Sequence, residues 1–171
     1  MSVAQNIAAI RTHIPAGVTL LCVSKFHPAE MIAEAYSAGE RDFGESHVQE
    51  LVRKHDLLPK DIRWHMIGHL QTNKVRAIVP FVYLIHSVDS LRLLEIIQRE
   101  AARINVVVNV LLEVHVAREE TKSGFTPDEL QALLDSGVLA QMPNIHVEGI
   151  MGMATNTDDT AEIQRCFDAL S

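Results

Sequence analysis

The sequence predicts an α/β fold of the (β/α)8 barrel type, with six βα units legible. Three observations carry that prediction. Short apolar runs alternate with amphipathic stretches along all 171 residues, the pattern of a parallel sheet covered by helices. No linker, low-complexity tract or charge block divides the chain, so residues 1–171 read as one domain. The Gly-x-Gly-x-x-Gly fingerprint is missing after the first strand, and so is a P-loop, which favours a barrel over an open doubly wound sheet.

The elements follow in order. Thr19–Ser24 is a short apolar run of the kind that forms a buried strand. Lys25 ends it, and Phe26-His27-Pro28 breaks the chain into a helix that starts at Pro28-Ala29-Glu30 and stops at Gly39. Arg41–Gly44 is the second strand and Val48–His55 the helix after it. Ile62–Ile67 forms the third strand, followed by a helix from about Leu70 that ends before Pro80. Val82–His86 is the fourth strand; Asp89 or Ser90 caps a helix whose Leu91, Leu94, Ile97 and Ala101 recur at helical spacing. Val106–Val114, the most apolar strand, is the fifth. Thr126-Pro127-Asp128-Glu129 combines a capping box with proline at the first helical position, and Gly137 closes that helix. Ile145–Met151 is the sixth strand and Thr160–Leu170 the last helix. A closed barrel needs eight units, and the final helix runs to Ser171 with no glycine or proline stop. The expectation is a barrel incomplete at its C-terminal side.

Composition narrows the function. The formal net charge is −7 and aromatics are 5%, which argues against a nucleic-acid binder with a basic, aromatic face. No apolar stretch approaches the roughly 20 residues that span a bilayer, and the first residues lack the basic start and apolar core of a secretory signal. The two cysteines, Cys22 and Cys166, are not a disulfide framework, so a reducing cytoplasm is the expected compartment.

Lys25 is the leading chemical candidate. A lysine at the C-terminal end of a buried strand stands where α/β proteins place their chemistry, and partial removal from water frees its amine to attack a carbonyl. A charge snorkelling out of a strand end is the competing account. His65 and His69 are four apart, but on a strand that spacing spans roughly 13 Å, too far for one metal ion, and no metal site is expected. The small residues of Gly149–Thr155 would let a ligand approach the backbone. Asn73 and Lys74 could touch a ligand from a helix start, and the polar Glu119–Phe125 segment, with Gly124 as hinge, could form a rim or lid. Ser24, Ser46 and Ser87 have no evident base and acid partners for a hydrolase triad.

Several segments together resemble one family. They are Cys22-Val23-Ser24-Lys25, Arg41-Asp42-Phe43-Gly44-Glu45-Ser46-His47-Val48-Gln49-Glu50, Trp64-His65-Met66-Ile67-Gly68-His69-Leu70-Gln71-Thr72-Asn73-Lys74, His86-Ser87-Val88-Asp89-Ser90 and Lys122-Ser123-Gly124-Phe125. In that order they resemble the blocks of the pyridoxal-phosphate homeostasis proteins, similar in fold to the barrel domain of bacterial alanine racemase. The resemblance implies pyridoxal 5′-phosphate (PLP) held as a Schiff base on Lys25. Ser46, His65, Met66, Met151 and Gly152 are then expected as wall residues of its site. It also implies cofactor storage, delivery and regulation with no established catalytic turnover; PLP-dependent apo-enzymes are the expected recipients and a monomer or weak dimer the expected assembly. Two positions depart from the family pattern: Ser46-His47 replaces Asn-Tyr, and Gly152 stands where many relatives carry threonine. The family's C-terminal Ser-Met-Gly-Met-Ser and Arg-Ile-Gly segments, which grip the phosphate, are not in this sequence, so weak cofactor retention is expected of these 171 residues. The rival readings are an amino-acid racemase, a cofactor-free aldolase using the same lysine, and an interaction protein with a vestigial site.

Overall fold

A computed structural model describes residues 2–118 and 123–170. Six parallel strands form one sheet: β1 (Cys22–Val23), β2 (Asp42–Glu45), β3 (Arg63–Met66), β4 (Leu84–Val88), β5 (Val108–Val114) and β6 (Ile145–Gly152). Their spatial order is their chain order, β1-β2-β3-β4-β5-β6. A doubly wound sheet would reverse direction at a switch point; unbroken order is what a barrel requires. Among the described residues β1 and β6 do not pair with each other, so they stand as the two edges.

The helices are α1 (Val3–Arg11), α2 (Ala29–Ser37), α3 (Val48–Leu57), α4 (Val75–Ile78), α5 (Leu91–Arg103), α6 (Pro127–Asp135) and α7 (Thr160–Asp168). Side chains alternate along each strand, so each strand has a helix-facing and an inner set. Phe43, Trp64, Ile85, Val108, Val110 and Leu112 belong to the main core with Leu51, Ile78, Leu94 and Ile97 from the helices. The strongly amphipathic α5 shows the logic: Leu94, Ile97 and Ala101 are fully buried, and the Ser90 hydroxyl caps its start by accepting from the Leu93 amide. Thr126 and Glu129 form the expected reciprocal capping box on α6, with Pro127 at its first turn.

Three boundaries differ from the sequence reading. The apolar run from Thr19 pairs over only two residues, Cys22 with Phe43 and Val23 with Gly44. The helix after β3 is a 3-10 turn at Thr72–Lys74 followed by the single-turn α4. The N-terminal helix α1 was not anticipated; its signal was the Ser2/Gln5 capping box, which the structure forms in full.

Candidate functional site

Lys25 lies just beyond β1 at the C-terminal edge of the sheet, and its side chain is exposed. The residues on either side of it are held firmly. The Ser24 amide donates to the Gly44 carbonyl at 2.9 Å and extends the β1–β2 ladder by one bond. Phe26 adopts the left-handed conformation, φ +66°, which is uncommon for a residue with a side chain. Its amide donates to Glu50 Oε1 at 3.0 Å. Lys25 itself makes no hydrogen bond or ion pair among the described residues, so its amine is available.

Beneath this turn lies a buried charged cluster. Lys54 of α3 is 0% exposed, and its Nζ donates to the Ser24 carbonyl at 2.8 Å, Glu45 Oε1 at 2.7 Å and Glu50 Oε1 at 2.6 Å. The Ser24 hydroxyl also donates to Glu45 Oε1, at 2.6 Å. Burial opposes ionisation of Glu50, but the Lys54 ammonium and the Phe26 amide outweigh it and hold the carboxyl below its usual range. Sequence reasoning passed over all three residues. Glu50 and Lys54 sit four apart on a helix, a spacing ordinarily read as a solvated pair.

Beside the turn opens a cleft of about 370 Å³ lined by Ser46, His47, Val48, Gln49, Gly68, His69, Gln71 and Lys74. The Phe26 ring tilts against the His47 ring at 5.9 Å and joins the cleft to the Lys25 turn. α3 starts here, and its first residue boundary, His47, gives no side-chain cap. Val48 and Gln49 at the start of α3 line the cleft together with Lys74, and a helix start with a cation nearby is a setting that suits an anionic group. Gly68 is required by close approach: a Cβ there would stand 2.4 Å from the Ser46 carbonyl oxygen and 2.7 Å from its Cα.

The remaining predicted site residues fall in different places. His65 is 5% exposed on the inner side of β3, one residue short of the strand end. Its Nε2 lies 3.1 Å from Asp42 Oδ1 and its Nδ1 2.9 Å from His86 Nε2. Asp42 is already ionised by its bond to Arg63, whose guanidinium outweighs burial and holds the carboxyl below its usual range with help from His65. The acceptor Asp42 assigns the proton of His65 to Nε2, leaving Nδ1 to accept from His86. Burial lowers His65 despite the Asp42 carboxylate, and burial with the neighbouring His65 lowers His86 to about 4. His69 turns elsewhere, to Asp89 Oδ2 at 3.2 Å.

Met66 corrects the expectation of a wall residue. It is fully buried in the core with Trp64, on the helix-facing side of β3 and away from His65. Met151 pairs with Glu113 and Gly152 with Val114 at the end of β6. A Cβ on Gly152 would meet Leu170 Cδ1 at 2.7 Å, so a leucine side chain occupies the space that glycine leaves. Of the expected rim segment, residues 119–122, with Lys122, lie outside the described residues. The return is anchored: Phe125 bridges to Val114, and the Ser123 hydroxyl donates to Glu113 Oε1 at 3.1 Å. Burial raises the Glu113 carboxyl, though Ser123 works against it.

Comparison with known proteins completes the description. The family described as alanine racemase, N-terminal domain, matches residues 1–170. A pyridoxal phosphate homeostasis protein of Aquifex aeolicus is 40% identical over 149 residues, 86% of this chain and 64% of that protein. The protein of the same name from Pseudomonas aeruginosa is 36% identical over 177 residues, covering 97% of this chain and 76% of that protein. This chain thus spans a little under two thirds of the Aquifex protein's length. Among solved structures, PipY of Synechococcus elongatus PCC7942 without PLP superposes with a TM-score of 0.93 at 37% identity, covering 99% of this chain and 79% of PipY. The form of PipY with PLP bound gives 0.88 at 36% identity, covering 99% and 78%.

Proposed function

This chain belongs to the alanine racemase N-terminal domain family and, within it, to the pyridoxal phosphate homeostasis proteins; from that premise we propose that it binds PLP and takes part in keeping the cofactor in supply. Lys25 is the amine that captures it. The observation that carries this reading is the exposed Lys25 at the C-terminal edge of β1, beside a polar cleft of about 370 Å³.

The residues present fit the group. When bound, PLP supplies an aldehyde that joins a primary amine. Lys25 offers such an amine, already free of competing partners among the described residues. Ser46 and the amides at the start of α3 line the adjoining cleft and can hold polar groups of the cofactor. His65 lies on the inner side of β3 as an anchored ring, while Met151 and Gly152 end the opposite edge strand and do not line this cleft. Met66 supports the strand end from the core side.

Holding the cofactor is the function these residues support best; turnover is not required of them. Racemisation needs a proton-transfer group on each face of a substrate, whereas storage and delivery need only reversible capture and release to apo-enzymes. The free thiols of Cys22 and Cys166 suit a reducing compartment such as the cytoplasm. Among the described residues no helix is long and apolar enough to cross a membrane.

The test is spectroscopic. PLP titrated into the chain should produce the absorption of lysine-bound cofactor. Lys25→Ala should abolish that band while Lys60→Ala preserves it. A band of undiminished strength in Lys25→Ala would overturn the assignment.

A further inference from the structure

We infer that Glu50, backed by Lys54 and Glu45, is a positioning residue for the amine of Lys25, an inference that rests on Lys25 being the capturing lysine. The contacts of this cluster converge on the two neighbours of Lys25 in the chain. Lys54 Nζ holds the Ser24 carbonyl on one side, and Glu50 Oε1 holds the Phe26 amide on the other. The same Glu50 oxygen accepts from Lys54 at 2.6 Å, so both anchors are fixed to one another.

Core packing alone does not explain the arrangement. Lys54 and Glu45 are both 0% exposed, and Glu45 Oε2 is buried with no hydrogen-bond partner among the described residues. Two buried charges and an orphaned oxygen are a costly way to fill space that apolar side chains would fill well. Nor is the turn they hold a relaxed one. Phe26 sits at φ +66° while its own ring is 76% exposed, so little packing of that ring compensates the left-handed backbone. A strained residue of this kind persists where its surroundings over-determine it, and here the Phe26 amide bond to Glu50 does so. The consequence is directional. With Ser24 and Phe26 pinned, the Lys25 Cα has a fixed place and heading at the edge of the sheet, so its flexible chain starts from one origin beside the cleft.

The experiment compares capture rates within one sample. PLP and borohydride are added to the chain, and the label on each lysine is followed over time, with Lys60 as the internal reference. Glu50→Ala should slow labelling of Lys25 about tenfold relative to that reference, since a charge-assisted hydrogen bond is lost. Glu50→Gln, whose side-chain oxygen can still accept from the Phe26 amide, should restore the rate to within about twofold. If Glu50→Ala does not fold, Glu50→Asp, which keeps the charge but falls short of that amide, takes its place with the same expected loss. Labelling of Lys25 at the wild-type rate in the Ala or Asp variant, or equal loss in the Gln variant, overturns the positioning role and leaves Lys25 as the capturing amine. Absence of Lys25 labelling in the wild type overturns both.

Discussion

His65 and His86 show how a single buried contact sets a pH dependence. Their shared hydrogen bond needs an unprotonated ring nitrogen, and burial lowers both rings, His86 to about 4. Arg63, Tyr83, Asp42 and Glu148 surround them, and the nearest carboxylate, Asp42, only partly offsets the burial of His65. In the unfolded chain a histidine takes its proton near pH 6.5. The folded-state value is the lower one, so the stability it contributes is complete above about pH 6.5 and is lost as the pH falls toward 4. Denaturation midpoints measured from pH 8 to 4 should hold steady and then fall through that window, and His86→Leu should flatten the fall. An unchanged slope in that variant would contradict the assignment. Lys25 was legible in the sequence because a strand-ending lysine is visible in an apolar run. Met66 was misplaced for want of one step: Trp64 and Met66 share a strand face by alternation, so a core tryptophan takes Met66 into the core with it. The Asp42–His65–His86 chain was not legible, since its members come from three strands whose register only the fold supplies.

At the scale of elements, α3 does more than cover the sheet. It delivers Lys54 into the core against Glu45 of β2, and the pair ties helix, strand and the β1 turn together. Lys54→Met would leave Glu45 buried without its counter-charge, a change that costs about 3–5 kcal/mol in comparable buried pairs. The expected outcome is a melting temperature lower by on the order of 10 °C for a chain of this size. A melt within about 2 °C of wild type would show that the pair contributes little. Local capping signals made α5 and α6 readable at Ser90 and at Thr126-Pro127-Asp128-Glu129. What stayed hidden were features decided by neighbours: the two-residue length of the edge strand β1, and the burial of a Glu–Lys pair whose helical spacing also suits solvent.

At the scale of the whole molecule, the unbroken strand order places the ends of β1, β2 and β3 side by side, so that Lys25, Ser46 and Gly68 meet at one rim. The alternation of apolar runs made the barrel class and its six strands legible. The closeness of the rim was less so, because the 2.4 Å that a Gly68 Cβ would leave to the Ser46 carbonyl depends on loops the periodicity does not describe. The two sheet edges carry exposed apolar side chains, Val18 and Val23 near β1 and Ile150 and Met153 at β6. The rim nonetheless draws its polar groups from the interior strands and the start of α3. The central claim, that this rim captures PLP through one lysine, is tested most directly by borohydride reduction of the chain with limiting PLP, followed by peptide mass mapping. The label is expected chiefly on Lys25, with Lys60 and Lys74 lightly modified and the buried Lys54 unmodified. Label spread evenly over the lysines, or concentrated away from Lys25, would contradict the claim.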